Sequence, residues 1–134
     1  RRGVLAGVPK GMPAMVKAFR MGEKASSAGF DWEHKEDVWA KVKEEIAEFE
    51  AEVIKGDNKN MEREMGDLLF ALINASRLYG IDPEEALALT NNKFIERFNY
   101  MENRIESQGR SLKEASLAEM DAYWNEAKSN EKNE

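Results

Sequence analysis

The sequence predicts an all-α fold, an antiparallel helical bundle of four main helices plus a short C-terminal helix. Three observations carry that prediction. Apolar residues recur at steps of three and four, and the three prolines (Pro9, Pro13, Pro83) all fall where a helix can begin. No segment alternates apolar and polar residues as a half-buried strand would.

The elements follow in order. Pro9-Lys10-Gly11-Met12-Pro13 reads as a loop, with Pro13 in the first turn of a helix over 13–27. Residues 28–32 form a connection. A second helix over 35–55 carries the stripe Val38, Val42, Ile46, Phe49 and Val53 and stops at Gly56-Asp57-Asn58. A third over 59–79 carries Met61, Met65, Leu68, Leu72 and Tyr79, helped by Leu69, and ends at Gly80. Asp82-Pro83-Glu84-Glu85 is a start signal, with Asp82 as N-cap, Pro83 at the first position and Glu85 three residues past the cap. The fourth helix then runs to about residue 108 on the stripe Leu87, Phe94, Phe98, Met101 and Ile105, ending at Gly109. Residues 111–127 predict a shorter fifth helix and 128–134 a frayed tail. Short connections between long amphipathic helices favour antiparallel neighbours.

Composition narrows the class. A chain of 134 residues suits one compact domain, and 42% apolar with 34% charged residues is the balance of a globular protein. The longest apolar run, residues 68–73, is far below the roughly 20 residues that cross a bilayer, so no membrane association is expected. Cysteine is absent, which removes disulfides and thiolate ligands and is compatible with the cytoplasm. The net charge of −6, with 26 acids against 20 bases, repels nucleic acid unless bases are segregated, and no basic run exceeds Arg1-Arg2. An acidic protein can still bind an anionic substrate through bridging cations.

Two acid pairs stand out. Glu45 and Glu48 are three apart on the second helix, and Glu64 and Asp67 are three apart on the third, so each pair shares a helical face. An antiparallel hairpin about Gly56-Asp57 sets Glu48 and Glu64 nearer the turn and Glu45 and Asp67 farther from it. In that register four carboxylates converge and would repel strongly without a cation, and hard divalent ions are what oxygen-only sites favour. Glu45 and Glu48 taken alone read equally as a solvated face. Solvated acidic faces are common, and that is the first reading for Glu44, Glu50 and Glu52. Asp67 precedes the apolar run 68–73 and is therefore expected to be central and buried, where an unpaired charge is costly. Gly66 beside it serves close helix packing, space for an ion or ligand, or both. Trp32 and Trp39 read as structural, and His34 as an exposed loop residue.

Glu44-Glu45-x-x-Glu48 followed by Glu64-x-x-Asp67 resembles the acidic signature of the MazG family of all-α nucleoside triphosphate pyrophosphatases. The resemblance extends to Gly7-Val8-Pro9 with Pro13-Ala14, to Gly29-Phe30-Asp31-Trp32, to the run from Glu64 through Ala71, and to Asn92-Lys93-Phe94 with Arg97-Phe98. These occur in the family's order and span roughly residues 4–128. It implies Mg²⁺-dependent hydrolysis of a nucleoside triphosphate to the monophosphate and pyrophosphate, with Mn²⁺ able to substitute. By the same match Glu45, Glu48, Glu64 and Asp67 fall on the family's metal ligands and Lys41 on a substrate contact. Asn60, Met61, Glu62 and Arg63 fall on a nucleotide-contacting stretch, Lys93 and Arg97 on phosphate-binding positions, and Trp124 on an aromatic near the nucleotide. Glu44 is a candidate general base whose side could equally face solvent. Without the match, Lys93 and Arg97 read as a surface pair and Trp124 as a core anchor.

The resemblance also implies a homodimer. Residues 1–12, opening on Arg1-Arg2-Gly3, match sequence that joins two such units in longer members, so a preceding domain is expected. A di-iron carboxylate bundle fits poorly, because it uses Glu-x-x-His pairs and this chain has one histidine. A non-catalytic helical dimerisation or regulatory module remains an alternative. So does a related dUTP, dCTP or phosphoribosyl-ATP pyrophosphohydrolase, which would share the acids and differ in the base pocket.

Overall fold

A computed structural model describes residues 3–132; Arg1 and Arg2 of the expected linker, and the last two residues of the expected tail, lie outside the described residues. The fold is all-α, with five α-helices and no strand among the described residues. None of the described helices is long and apolar enough to cross a membrane. The chain divides between Glu84 and Glu85 into two compact units.

The first unit holds α1 (Ala14–Ser27), α2 (Val38–Lys55) and α3 (Asn58–Leu78). Pro13 occupies the N-cap of α1, one residue earlier than a first-turn proline. Residues 4–12 form turns ahead of it, with Val8 buried. Lys35–Asp37 make a 3₁₀ turn rather than the expected start of α2. α3 packs against both α2 and α1. Its contact face is made of small residues: Ala71 and Ala75, one turn apart, meet Val38 and Val42, with Leu68 and Leu78 alongside.

The α2–α3 hairpin is set by two residues. Gly56 takes φ 72°, a left-handed conformation that a side chain resists, and its N–H donates to the Glu52 carbonyl at 3.0 Å to close α2. Asp57 then caps α3, its carboxylate accepting from the Asn60 N–H at 3.2 Å. This hairpin is what brings acids of two helices to one place.

The second unit contains α4 (Pro83–Glu106), from Glu85 onward, and α5 (Leu117–Lys132). Asp82 starts α4 by accepting from the Glu84 N–H at 2.9 Å. The segment expected to open the fifth helix is a 3₁₀ turn, Leu112–Glu114, closed by a Ser111–Glu114 capping box. Helix α5 starts later than expected and runs on to Lys132, where a frayed tail was expected. Met101, Ile105 and Ala127 are buried, and Arg104 and Tyr100 both donate to Glu126 across the helix pair.

The three apolar stripes are only partly enclosed. Val38, Val42, Met101 and Ile105 are buried, but Ile46, Val53, Met65, Leu69, Leu72, Leu87 and Phe94 are exposed. The core uses alanines of α3 where larger residues were expected.

Candidate metal centre and adjoining cleft

Glu45, Glu48 and Glu64 each bring a carboxylate oxygen within 4.8 Å of the others. Glu45 faces α3 from α2 and is only 4% exposed, the one buried charged residue of the chain's described part. Its Oε1 accepts from Lys41 Nζ at 3.0 Å, one turn earlier. Its Oε2 is buried without a partner, and so is Oε2 of Glu64. A buried carboxylate oxygen left unpaired is costly, because nothing replaces the water it lost. Glu48 shows the same strain electrostatically. Repulsion from Glu45, then burial, then contact with Glu64 push its pKa up to about 7. Three converging carboxylates with two orphaned oxygens are a donor set suited to a hard divalent cation.

Asp67 departs from expectation. It is exposed and stands outside the three-acid group. Asp67 lies one turn before Ala71 on the same face of α3, and both line an open cleft, so the enclosure that buries Ala71 and Ala75 does not reach it. The run after it is enclosed only at Ala71 and Ile73, while Leu69, Phe70 and Leu72 are exposed. Gly66 likewise makes no close helix contact, since a Cβ there would meet nothing within 4 Å. Asp67 instead shares with Glu45 and Lys41 the lining of a cleft of about 770 Å³. Phe30, Trp32 and Phe70 add aromatic surface to that cleft, and Asp31, Asn74 and Arg77 add polar groups.

The other expected site residues fall as follows. Glu44 is exposed, 3.7 Å from Lys41 Nζ and outside the acid group. Asn60 is committed to the α3 cap, its amide donating to Asp57 at 3.0 Å, while Met61 is half-buried and Glu62 and Arg63 are exposed. In the second unit Lys93 is exposed. Arg97 makes a two-pronged bond to Glu131, at 2.8 and 2.9 Å, and lies over the Trp124 ring at 5.7 Å. Trp124 also meets Phe94 edge-on at 5.2 Å. His34 is exposed, and Trp39 donates to the Tyr79 hydroxyl at 2.9 Å, a structural role as expected.

Sequence reasoning missed Asp31, Asn74 and Arg77 as cleft residues. The available signal was Arg77 itself, a fixed charge shortly after the apolar run 68–73 of α3, which needs a partner when half-buried.

The fold and site together define an all-helical domain that gathers carboxylates at the rim of an aromatic-lined cleft. Residues 33–101, just over half of the chain, match the MazG nucleotide pyrophosphohydrolase domain. The chain is 43% identical over 117 residues to the nucleoside triphosphate pyrophosphohydrolase/pyrophosphatase MazG of Thermotoga maritima, covering 87% of this chain and 45% of that protein. It is 35% identical over 133 residues to the nucleoside triphosphate pyrophosphohydrolase of Escherichia coli K12, covering 98% of this chain and 51% of that one. A 73-residue stretch is 51% identical to the uncharacterized protein YabN of Bacillus subtilis, 54% of this chain and 15% of that protein. The chain therefore belongs to the MazG nucleotide pyrophosphohydrolase family. It spans about half the length of the Thermotoga and Escherichia relatives.

Proposed function

We propose that this chain hydrolyses nucleoside triphosphates to the monophosphate and pyrophosphate with Mg²⁺, for which Mn²⁺ can substitute. The observation that carries the reading is the Glu45–Glu48–Glu64 convergence, with two buried, unpartnered oxygens, beside a cleft large enough for a nucleoside. The names of the Thermotoga and Escherichia relatives agree with it. A divalent cation bound at the acid cluster would supply charge neutralisation for the triphosphate and Lewis acidity toward water. Glu45, Glu48 and Glu64 would hold it, with Asp67, on the cleft wall, as the fourth proposed ligand. Lys41 fixes the Glu45 carboxylate by its 3.0 Å bond. Water adds to phosphorus and the linkage between the α and β phosphates breaks, releasing pyrophosphate. The family match assigns phosphate binding to Lys93 and Arg97 and nucleotide contact to Trp124 and to the stretch Asn60 to Arg63, and Glu44 is the candidate base. In this reading Arg97 exchanges its bond to Glu131 for the phosphate.

The chain acts as a homodimer in this reading. Ile46 and Val53 on α2 and Met65, Leu69 and Leu72 on α3 are large apolar side chains left exposed, and a second copy packed on them would cover them.

The test is to incubate the protein with each ribo- and deoxyribonucleoside triphosphate, with and without Mg²⁺, and identify the products. Monophosphate and pyrophosphate are expected with Mg²⁺ alone. Loss of turnover in Glu48→Ala and Asp67→Ala with helical circular dichroism retained supports the assignment; full activity in either variant rejects that ligand, and release of orthophosphate rejects the reaction.

A further inference from the structure

The polar end of the cleft is a chain of bonds with one loose end. Arg77 on α3 grips Asp31 through two guanidinium nitrogens, at 2.6 and 3.0 Å. Asp31 also accepts from the Ser26 hydroxyl at 2.6 Å and from the Trp32 N–H at 2.8 Å, so its carboxylate is saturated. The remaining reach of Arg77 goes to Asn74: Nε and Nη2 donate to Asn74 Oδ1 at 3.1 and 2.8 Å.

That last contact decides which way the amide points. A guanidinium can only donate, so the oxygen of Asn74 must face Arg77 and the NH₂ must face away. Among the described residues Asn74 Nδ2 has no partner, and Asn74 lines the cleft. Gly22 on α1 leaves the room this needs. A Cβ there would stand 3.0 Å from Arg77 Nε and 3.4 Å from Asn74 Oδ1. The same cleft carries Phe30, Trp32 and Phe70, and Glu45 and Asp67. Asn74 therefore shares one cleft with the acids, which suit a metal-bound phosphate, and with the aromatics, which suit a base.

We propose that Asn74, locked by Arg77, donates a hydrogen bond from Nδ2 to a carbonyl or ring-nitrogen acceptor of the nucleobase and so sets base preference. The inference rests on the nucleotide reading above and adds the residue that discriminates. An amide fixed as a donor accepts a base edge that presents an acceptor and disfavours one that presents an amino group, which leaves two donors opposed.

The decisive variant is Asn74→Asp, which keeps size and keeps a partner for Arg77 but replaces the free donor with an acceptor. Kinetics with the four ribonucleoside triphosphates, alongside Mg²⁺-dependent binding of inorganic tripolyphosphate, provide the readout. Expected is a rise in KM of about tenfold or more for the bases favoured by wild type, a shift of ranking toward amino-bearing edges, and unchanged tripolyphosphate binding. Asn74→Ala, which removes the side chain's polar end, should flatten the ranking and serves if the aspartate variant does not fold. An unmoved base ranking, or an equal loss for tripolyphosphate and nucleotides, overturns the proposal. Absence of any wild-type nucleotide turnover would instead defeat the reading on which it rests.

Discussion

Neutralising one acid of the cluster should make the metal-free protein more stable and the Mg²⁺-loaded protein less so. Glu64→Gln is the cleanest choice, because Glu64 has no cation partner among the described residues and one of its oxygens is buried without a bond. At 4.8 Å two unit negative charges repel by about 3.5 kcal/mol with an effective dielectric of about 20, and by about 0.9 kcal/mol in bulk water. Glu64 is half-buried, so relief of roughly 1–2 kcal/mol is the appropriate expectation for its pairing with Glu45. For a domain of this length each kcal/mol moves Tm by about 4 °C. Thermal unfolding in EDTA at pH 8 should therefore show Glu64→Gln melting roughly 4–8 °C above wild type. Mg²⁺ at about a hundred times its Kd adds about 2.7 kcal/mol to wild type, a rise near 10 °C. The variant should lose most of that rise, so the order of the two proteins inverts with metal. A Glu64→Gln protein that melts at or below wild type in EDTA, or that keeps the full Mg²⁺ shift, refutes the reasoning.

Further expectations concern the scaffold. Asp57→Ala removes the cap of α3 and should cost about 1 kcal/mol, read as a lower denaturation midpoint with an unchanged m-value. Glu119, held down to about 2 by its bonds to Arg110 and Ser116, contributes stability that is complete above the ordinary carboxylate pKa and is lost as pH falls through about 2; an acid titration followed by circular dichroism should show Glu119→Gln flatter over that window. On the homodimer proposed above, wild type should sediment as a dimer and Leu69→Glu combined with Ile46→Glu as a monomer with helicity retained. Arg77→Ala frees Asp31 and the Asn74 amide together, so its thermal stability should drop by more than that of Asn74→Ala.

The helices were legible because their ends are written locally. Gly56-Asp57 and Asp82-Pro83 announce stops and starts by backbone conformation and capping chemistry, and the structure uses them in those roles. The convergence of Glu45, Glu48 and Glu64 was legible for the same reason, since spacing fixes which side chains share a face; the place of Asp67 outside that group was not. Burial was not. Glu45 is buried because it continues the Val38–Val42 face of α2 that meets Ala71 and Ala75, whereas Asp67, one turn before Ala71, opens into the cleft; the bulkier Leu69 and Leu72 that dominate the pattern are exposed. The Asp31–Arg77 link spans 46 residues and joins a loop to a helix, so no local period reports it.

The connection of α2 to α3 has one more implication. All three converging carboxylates come from a contiguous segment that a single tight turn folds back on itself, so their mutual repulsion opposes closure of that hairpin. A cation captured there would lower that obstacle while the hairpin is forming, and would hasten folding as well as slow unfolding. If the acids bind metal as proposed, metal supply and the speed of maturation after synthesis would then be one variable.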